Sequence, residues 1–318
     1  MRTDIDVILC EVGLRDGLQN VACFMPTAEK LAWLEAEAAA GMPEMEVCSF
    51  VPPKLIPQFN DCETIVARAL ALNGPRVSAL IPNLKGAERG IATGVQKLDY
   101  VISVSESHNR SNVRRSREES VSDFKRIAEL VKTLPKDKRP ALAGGLSTAL
   151  GCTIEGQVSE SEVVRLAVAL AEAGVDELSV ADTVGYAGPA AVKRVFKAVM
   201  AAVKPLPVAA HFHDTRGQGL ANALAALDVG VRNFDACLAG LGGCPYAPGA
   251  SGNIVMEDLV FMLESMGLRT GVDLEKLIEI RAILERGLPG VALHGGIGKA
   301  GLPKGWRPAT PAHAAAAE

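Results

Sequence analysis

The sequence predicts an α/β chain closed into a (β/α)8 barrel, on three observations. Short apolar, β-branched runs alternate eight times with longer helical patterns across 318 residues, with no break in composition. Aromatics make up 4% of the chain while Ala, Val, Leu and Gly dominate, which suits helices packed closely on a buried parallel sheet. The competing open, doubly wound sheet would carry a Gly-x-Gly-x-x-Gly turn after its first strand, and none stands there.

Strands are expected near 5–12, 44–50, 76–81, 98–104, 140–148, 176–181, 206–212 and 231–238. Helices are expected near 27–40, 61–73, 84–94, 117–133, 159–173, 189–203, 217–229, 255–266 and 273–286. Thr27 followed by Glu29, and Ser159 followed by Glu160 and Glu162, read as capped helix starts. Gly41, Gly74, Gly94, Gly174, Gly230 and Gly267 fall where helices should stop. One barrel domain is expected over 1–290, with a short helical extension over 291–318 that becomes a mobile tail after about 305.

The formal charge of −4 is spread without a basic block, which argues against a nucleic-acid partner. Seven cysteines in no paired spacing read as free thiols in a reducing compartment. The chain enters its first strand almost at once, and no apolar run approaches the roughly 18 residues of a membrane span. A cytoplasmic protein with no membrane partner is expected.

In such a barrel the loops after the strands gather on one face, where the active site lies. His211 and His213 end the seventh strand and, by strand alternation, point the same way. A polar strand edge is the bland alternative. Other strand ends supply Arg15 and Asp16, Glu46 and Ser49, Ser105 and Glu106, Ser147 and Thr148, and Asp182 and Thr183. Singly, Arg15–Asp16 could be a local ion pair, and Glu46 or Asp182 a cap or salt-bridge partner. Converging on one mouth, they are better explained as a metal centre with an arginine beside it. Asp16, His211, His213 and the amide oxygen of Asn253 make a mixed N/O donor set suited to Mg2+ or Mn2+. The glycine-rich loop over 240–253 carries Cys244, a candidate for acid–base work.

Several stretches resemble the hydroxymethylglutaryl-CoA lyase family of the DRE-TIM metallolyase superfamily. They are Glu11-Val-Gly-Leu-Arg-Asp-Gly-Leu-Gln-Asn20, Glu46-Val-Cys-Ser-Phe-Val51, Pro82-Asn-Leu-Lys-Gly86, Asp182-Thr-Val-Gly185, His211-Phe-His-Asp-Thr215 and Gly240-Leu-Gly-Gly-Cys-Pro-Tyr246 through Asn253. The resemblance runs from about residue 5 to 270 in the family's order, and the cysteine loop is specific to the lyase branch. It implies a divalent-metal lyase that cleaves 3-hydroxy-3-methylglutaryl-CoA into acetyl-CoA and acetoacetate, acting as a homodimer on an acyl-CoA thioester. By matching position, Asp16, His211, His213 and Asn253 resemble the metal ligands, and Arg15 the catalytic arginine. Cys244 resembles the proton-transferring cysteine, Glu46 and Asp182 supporting acid–base residues, and His211 a base beside the metal. Gln19, Ser49, Ser105 and Asn112 match positions near the substrate or its CoA arm.

Departures from the family pattern fall at Leu14, Val21, Cys48, Phe212 and Arg216, around the acyl pocket. A paralogous lyase for (R)-citramalyl-CoA or a longer 3-hydroxyglutaryl-CoA therefore stays open. Claisen-condensing synthases share the Arg-Asp pair and the His-x-His, but continue into further domains and lack the cysteine loop. A two-histidine iron oxygenase normally sits on a small β-fold. A Schiff-base aldolase needs a lysine projecting into the barrel, whereas Lys54 and Lys85 read as loop or CoA-phosphate contacts. A non-catalytic CoA-binding barrel would not need the ligand set, Arg15 and Cys244 together.

Overall fold

In the computed structural model, which describes residues 4–242 and 252–310, β1 (Ile8–Glu11) pairs in parallel with both β2 (Glu44–Ser49) and β8 (Asn233–Ala236). The remaining strands are β3 (Arg76–Ile81), β4 (Lys97–Ser103), β5 (Ala141–Ser147), β6 (Glu177–Asp182) and β7 (Val208–Phe212). All neighbours run parallel in sequence order and close a barrel of eight strands, as the sequence predicts.

Helices return the chain along the outside: α1 (Thr27–Ala39), α2 (Cys62–Leu70), α3 (Leu84–Thr93), α4 (Glu106–Val113), α5 (Arg117–Lys132) and α6 (Glu160–Ala173). They continue with α7 (Pro189–Val203), α8 (Gly219–Asp228), α9 (Met256–Ser265), α10 (Leu274–Gly287) and α11 (Ile297–Ala300). All six glycines expected to stop helices have positive φ, and Gly94 and Gly174 are the left-handed caps of α3 and α6. The expected start caps differ. Pro26 precedes α1 and the Thr27 hydroxyl donates to Asp61 (2.7 Å), while the Ser159 hydroxyl meets Ser161 (2.6 Å). The sequence reading has no helix at α4, because its residues are mostly polar and show no apolar stripe.

Strand alternation sorts the two faces. On β7, Phe212 packs outward on Phe196 of α7 with ring centroids 5.9 Å apart, so His211 is turned into the barrel. On β5 and β6, Leu142, Leu146, Leu178 and Val180 are buried in the outer core, while Ala143, Gly145, Ser179 and Ala181 line the interior. These small inward residues leave a cavity of about 590 Å³, within the size range of small-molecule sites.

Towards the starts of the strands the interior is charged. Lys97, the first residue of β4, lies in contact with Glu44 and 3.6 Å from both Asp99 and Glu177. A lysine therefore does project into the barrel, unlike Lys54 and Lys85. Desolvation works against its charge, but Asp99 and Glu44 outweigh it and hold the ammonium above its usual range.

Cys48 at the end of β2 and Cys62 at the start of α2 form a disulfide across Cα atoms 5.6 Å apart, which corrects the expectation of free thiols throughout. Folding brings the two elements together across a separation of 14 residues, which spacing alone does not announce. Cys10, Cys23, Cys152 and Cys237 are free. The C-terminal extension is held further than the sequence suggests. Asp258 accepts from the amides of Gly296 and Ile297 (2.8 Å each), Trp306 stacks on Phe261, and the Ala309 amide donates to Glu264 (2.7 Å). Among the described residues, no helix is long and apolar enough to cross a membrane.

Candidate active site

After β1 the chain makes one π-helical turn, Gly13–Gly17, that carries Arg15 and Asp16. Glu11, almost fully buried, fastens this turn. Its carboxylate accepts from the Gly13 amide (2.7 Å) and from the Leu238 amide beyond β8 (3.0 and 3.1 Å). Gly13 has no room for a side chain, since a Cβ there would lie 2.5 Å from both the Glu11 carboxylate and the Trp33 ring. Thus β1 and the segment after β8 are tied by one acid.

The turn brings Arg15 between two carboxylates. Its Nε donates to Glu46 (2.6 Å) and its Nη1 to Asp16 (2.7 Å). Desolvation opposes the charge on Asp16, yet the Arg15 guanidinium and the two imidazoles hold that carboxyl well below its usual range. Burial pushes Glu46 up, against the pull of Arg15. Asp16 Oδ2 lies 3.6 Å from His213 Nε2 and 3.9 Å from His211 Nε2, and the two Nε2 atoms are 3.2 Å apart. One ligand atom from each of the three residues falls within 4.8 Å of the others.

Asn253 completes the ring. It pairs with His213 through a backbone bridge, and its Nδ2 donates to Asp16 Oδ2 (2.7 Å). Its Oδ1 is buried and accepts no hydrogen bond from any described residue. A buried acceptor without a donor is costly unless a cation answers it. His211 Nδ1 meets Asp235 Oδ2 at 3.1 Å, which leaves Nε2 facing the cluster as a metal-binding imidazole requires. Two imidazole nitrogens, a carboxylate and an amide oxygen fit a divalent cation that tolerates mixed N/O donors.

The model of the HMGL-like family matches residues 6–284. The chain belongs to the HMGL-like family. It is 40% identical over 279 residues to hydroxymethylglutaryl-CoA lyase of Bacillus subtilis, covering 88% of this chain and 92% of that one. With the mitochondrial hydroxymethylglutaryl-CoA lyase of Mus musculus it shares 42% over 273 residues, 86% of this chain and 83% of the other. Among solved structures, an HMG-CoA lyase from Acinetobacter baumannii in complex with coenzyme A and 3-methylmalate superposes with a TM-score of 0.88 at 38% identity. That match covers 96% of this chain and 98% of the other.

The HMGL-like barrel brings some sequence-read residues together and turns others away. Arg15, Asp16, Gln19, Glu46, Asn112, His211 and His213 line the cavity. Asp182 does not; its two oxygens accept from the Tyr186 and Ala187 amides (2.9 Å each), which makes it the brace of its own loop. Ser49 is fully buried and accepts from the Val51 amide, and Ser105 caps α4 by accepting from the His108 amide (3.1 Å). A residue at a strand end can be placed from sequence, but its backbone duties cannot. Cys244 lies outside the described residues. Asp235 and Glu11 gained no role from sequence. An acid inside the polar-alternating run Asn233-Phe234-Asp235 was the available signal for the first.

Proposed function

We propose that this protein is a divalent-metal-dependent carbon–carbon lyase that cleaves 3-hydroxy-3-methylglutaryl-CoA into acetyl-CoA and acetoacetate. The observation that carries the reading is the cluster of Asp16, His211, His213 and Asn253, with Arg15 beside it, at the wall of a cavity open to solvent. The lyases of the family, at about 40% identity over most of the chain, support the substrate class. Mg2+ and Mn2+ both suit the donor set, and a homodimer is expected from the family resemblance.

The reaction removes the proton of the tertiary hydroxyl, breaks the C2–C3 bond, and leaves an enolate of acetyl-CoA that is protonated at C2. Asp16, His211, His213 and Asn253 would hold a divalent cation, which would supply Lewis acidity that makes the substrate hydroxyl easier to deprotonate. Arg15, fixed by Glu46 and Asp16, presents a guanidinium to the developing enolate oxygen, a preorganised contribution of roughly 3–4 kcal/mol to the barrier. His211 spends Nε2 on the cluster and Nδ1 on Asp235, and Asp182 spends both oxygens on amides. Glu46, a cavity-lining acid beside Arg15, is then the group proposed to receive the hydroxyl proton. Cys244 is the thiol proposed to protonate C2.

A coupled assay for acetyl-CoA release tests the reading, with Mg2+ or Mn2+, an EDTA control, and both citramalyl-CoA enantiomers beside 3-hydroxy-3-methylglutaryl-CoA. Metal-dependent cleavage of the last compound supports it. Cleavage of citramalyl-CoA alone keeps the chemistry and changes the substrate, and no cleavage of any thioester removes the reading.

A further inference from the structure

Arg114 adopts a left-handed backbone, φ 57° and ψ 34°, at the C-terminal end of α4. Glycine and asparagine reach that region easily, whereas a bulky side chain pays for it in backbone strain. The side chain gains no compensating ion pair: Arg114 is exposed, and no described acid partners it. Its neighbours are all engaged. Arg110 pairs with Glu106 (2.7 Å), Arg115 with Asp123 (2.8 Å) and Arg117 with Glu162 (2.8 Å).

The position of α4 explains what the exposed cation faces. His108 is buried and bonds Ser103 at the end of β4 through Nδ1 (2.7 Å), and Asn109 Oδ1 accepts from the Ser103 amide (3.0 Å). From that anchored start the helix runs outward, and His108, Asn112 and Arg114 all line the cavity wall. Arg114 lies six positions after His108, about 9 Å along the helix. The same cavity is lined by the loop after β2, where Val51, Pro52, Leu55 and Ile56 present apolar surface, with Leu55 70% exposed. This part of the lining is apolar, and Arg114 is the lining cation there that no described acid pairs.

An acyl-CoA matches that order of chemistry. Its thioester belongs at the metal cluster, its pantetheine arm in an apolar slot, and its phosphates outside in water. We infer that Arg114 is a recognition residue for the phosphate groups of the CoA substrate, held at the rim by its left-handed turn. The inference rests on the acyl-CoA reading above and adds the residue that reads the nucleotide end. A guanidinium can make paired hydrogen bonds to phosphate oxygens, which a lysine ammonium cannot.

The backbone supplies a safe test. Asn accepts the left-handed conformation, so Arg114→Asn removes the charge without adding strain. Calorimetric titrations of wild type and Arg114→Asn would use coenzyme A, 3′-dephospho-coenzyme A, 4′-phosphopantetheine and pantetheine. The expected result is coenzyme A binding weakened by about tenfold in the variant at low salt, a difference that narrows as salt rises. Pantetheine binding stays equal in both proteins, Arg114→Lys recovers part of the loss, and the intermediate compounds identify which phosphate is read. Equal coenzyme A affinity in wild type and variant overturns the assignment, as does an equal loss for pantetheine, which would mean a change in the slot itself. If wild type binds no coenzyme A at all, the acyl-CoA reading falls and the assignment with it.

Discussion

Replacing Asp235 with Asn tests whether the metal cluster is oriented from behind. Asp235 Oδ2 lies 3.1 Å from His211 Nδ1, with side-chain exposures of 20% and 11%, so water screens the contact only partly. A hydrogen bond to a charged group in such a setting contributes about 1.5–3 kcal/mol. That range is roughly 10- to 100-fold in an equilibrium constant, the same span seen when carboxylates behind metal-bound histidines are removed. Asn keeps the shape but can offer an N–H to Nδ1, which would move the ring proton to Nε2, the atom that faces Asp16 and His213. Asp235→Asn should therefore weaken Mn2+ binding to metal-free protein, measured calorimetrically, by about 10- to 100-fold. Turnover should fall at limiting Mn2+ and return to within a few-fold of wild type at saturating Mn2+. An unchanged Mn2+ affinity, or a turnover defect that saturating metal does not repair, would refute the reasoning.

Four further outcomes can be checked. Arg15→Gln leaves Glu46 and Asp16 without their guanidinium and should lower kcat by about 100- to 1,000-fold, with Mn2+ still bound. Cys244→Ala should keep metal binding and lose most turnover; near-normal turnover removes the thiol from the mechanism. Phe212→Ala opens a void against Phe196 and should cost about 3–5 kcal/mol in a denaturant titration, and a loss below 1 kcal/mol would contradict the packing described for β7. Asp6 is drawn from 3.8 to about 2 by its hydrogen bonds to Arg269. A lowered carboxyl stabilises the fold above its unfolded pKa and stops doing so as pH falls through the folded one. The melting temperatures of wild type and Asp6→Asn should therefore differ at neutral pH and converge between about pH 4 and 2, whereas a constant gap would deny the linkage.

The strands were legible because a sheet buried on both faces needs continuous β-branched runs, and turns entering them need glycine at positive φ, as at Gly94 and Gly174. The grouping of the two histidines was legible because strand alternation is rigid: once His211 faces inward, so does His213. What escaped depends on contacts across the fold. The π-helical turn at Gly13–Gly17 has no periodicity of its own and is shaped by Glu11 and Trp33. Asp182 and Ser105 read as chemistry because strand ends are where chemistry sits, and that both also accept from backbone amides could not be read from sequence. Lys97 was invisible because polar residues inside a barrel look, in sequence, like polar residues on a surface, and Asp235 had only the alternation of its strand to announce it.

The hydrogen bond between Asn253 and Asp16 joins positions 237 residues apart, and the bond from Leu238 to Glu11 spans 227. Contacts so distant in sequence form only when the eighth strand has met the first, so the proposed ligands assemble with closure of the barrel and not before it. Time-resolved metal uptake during refolding would then follow barrel closure itself.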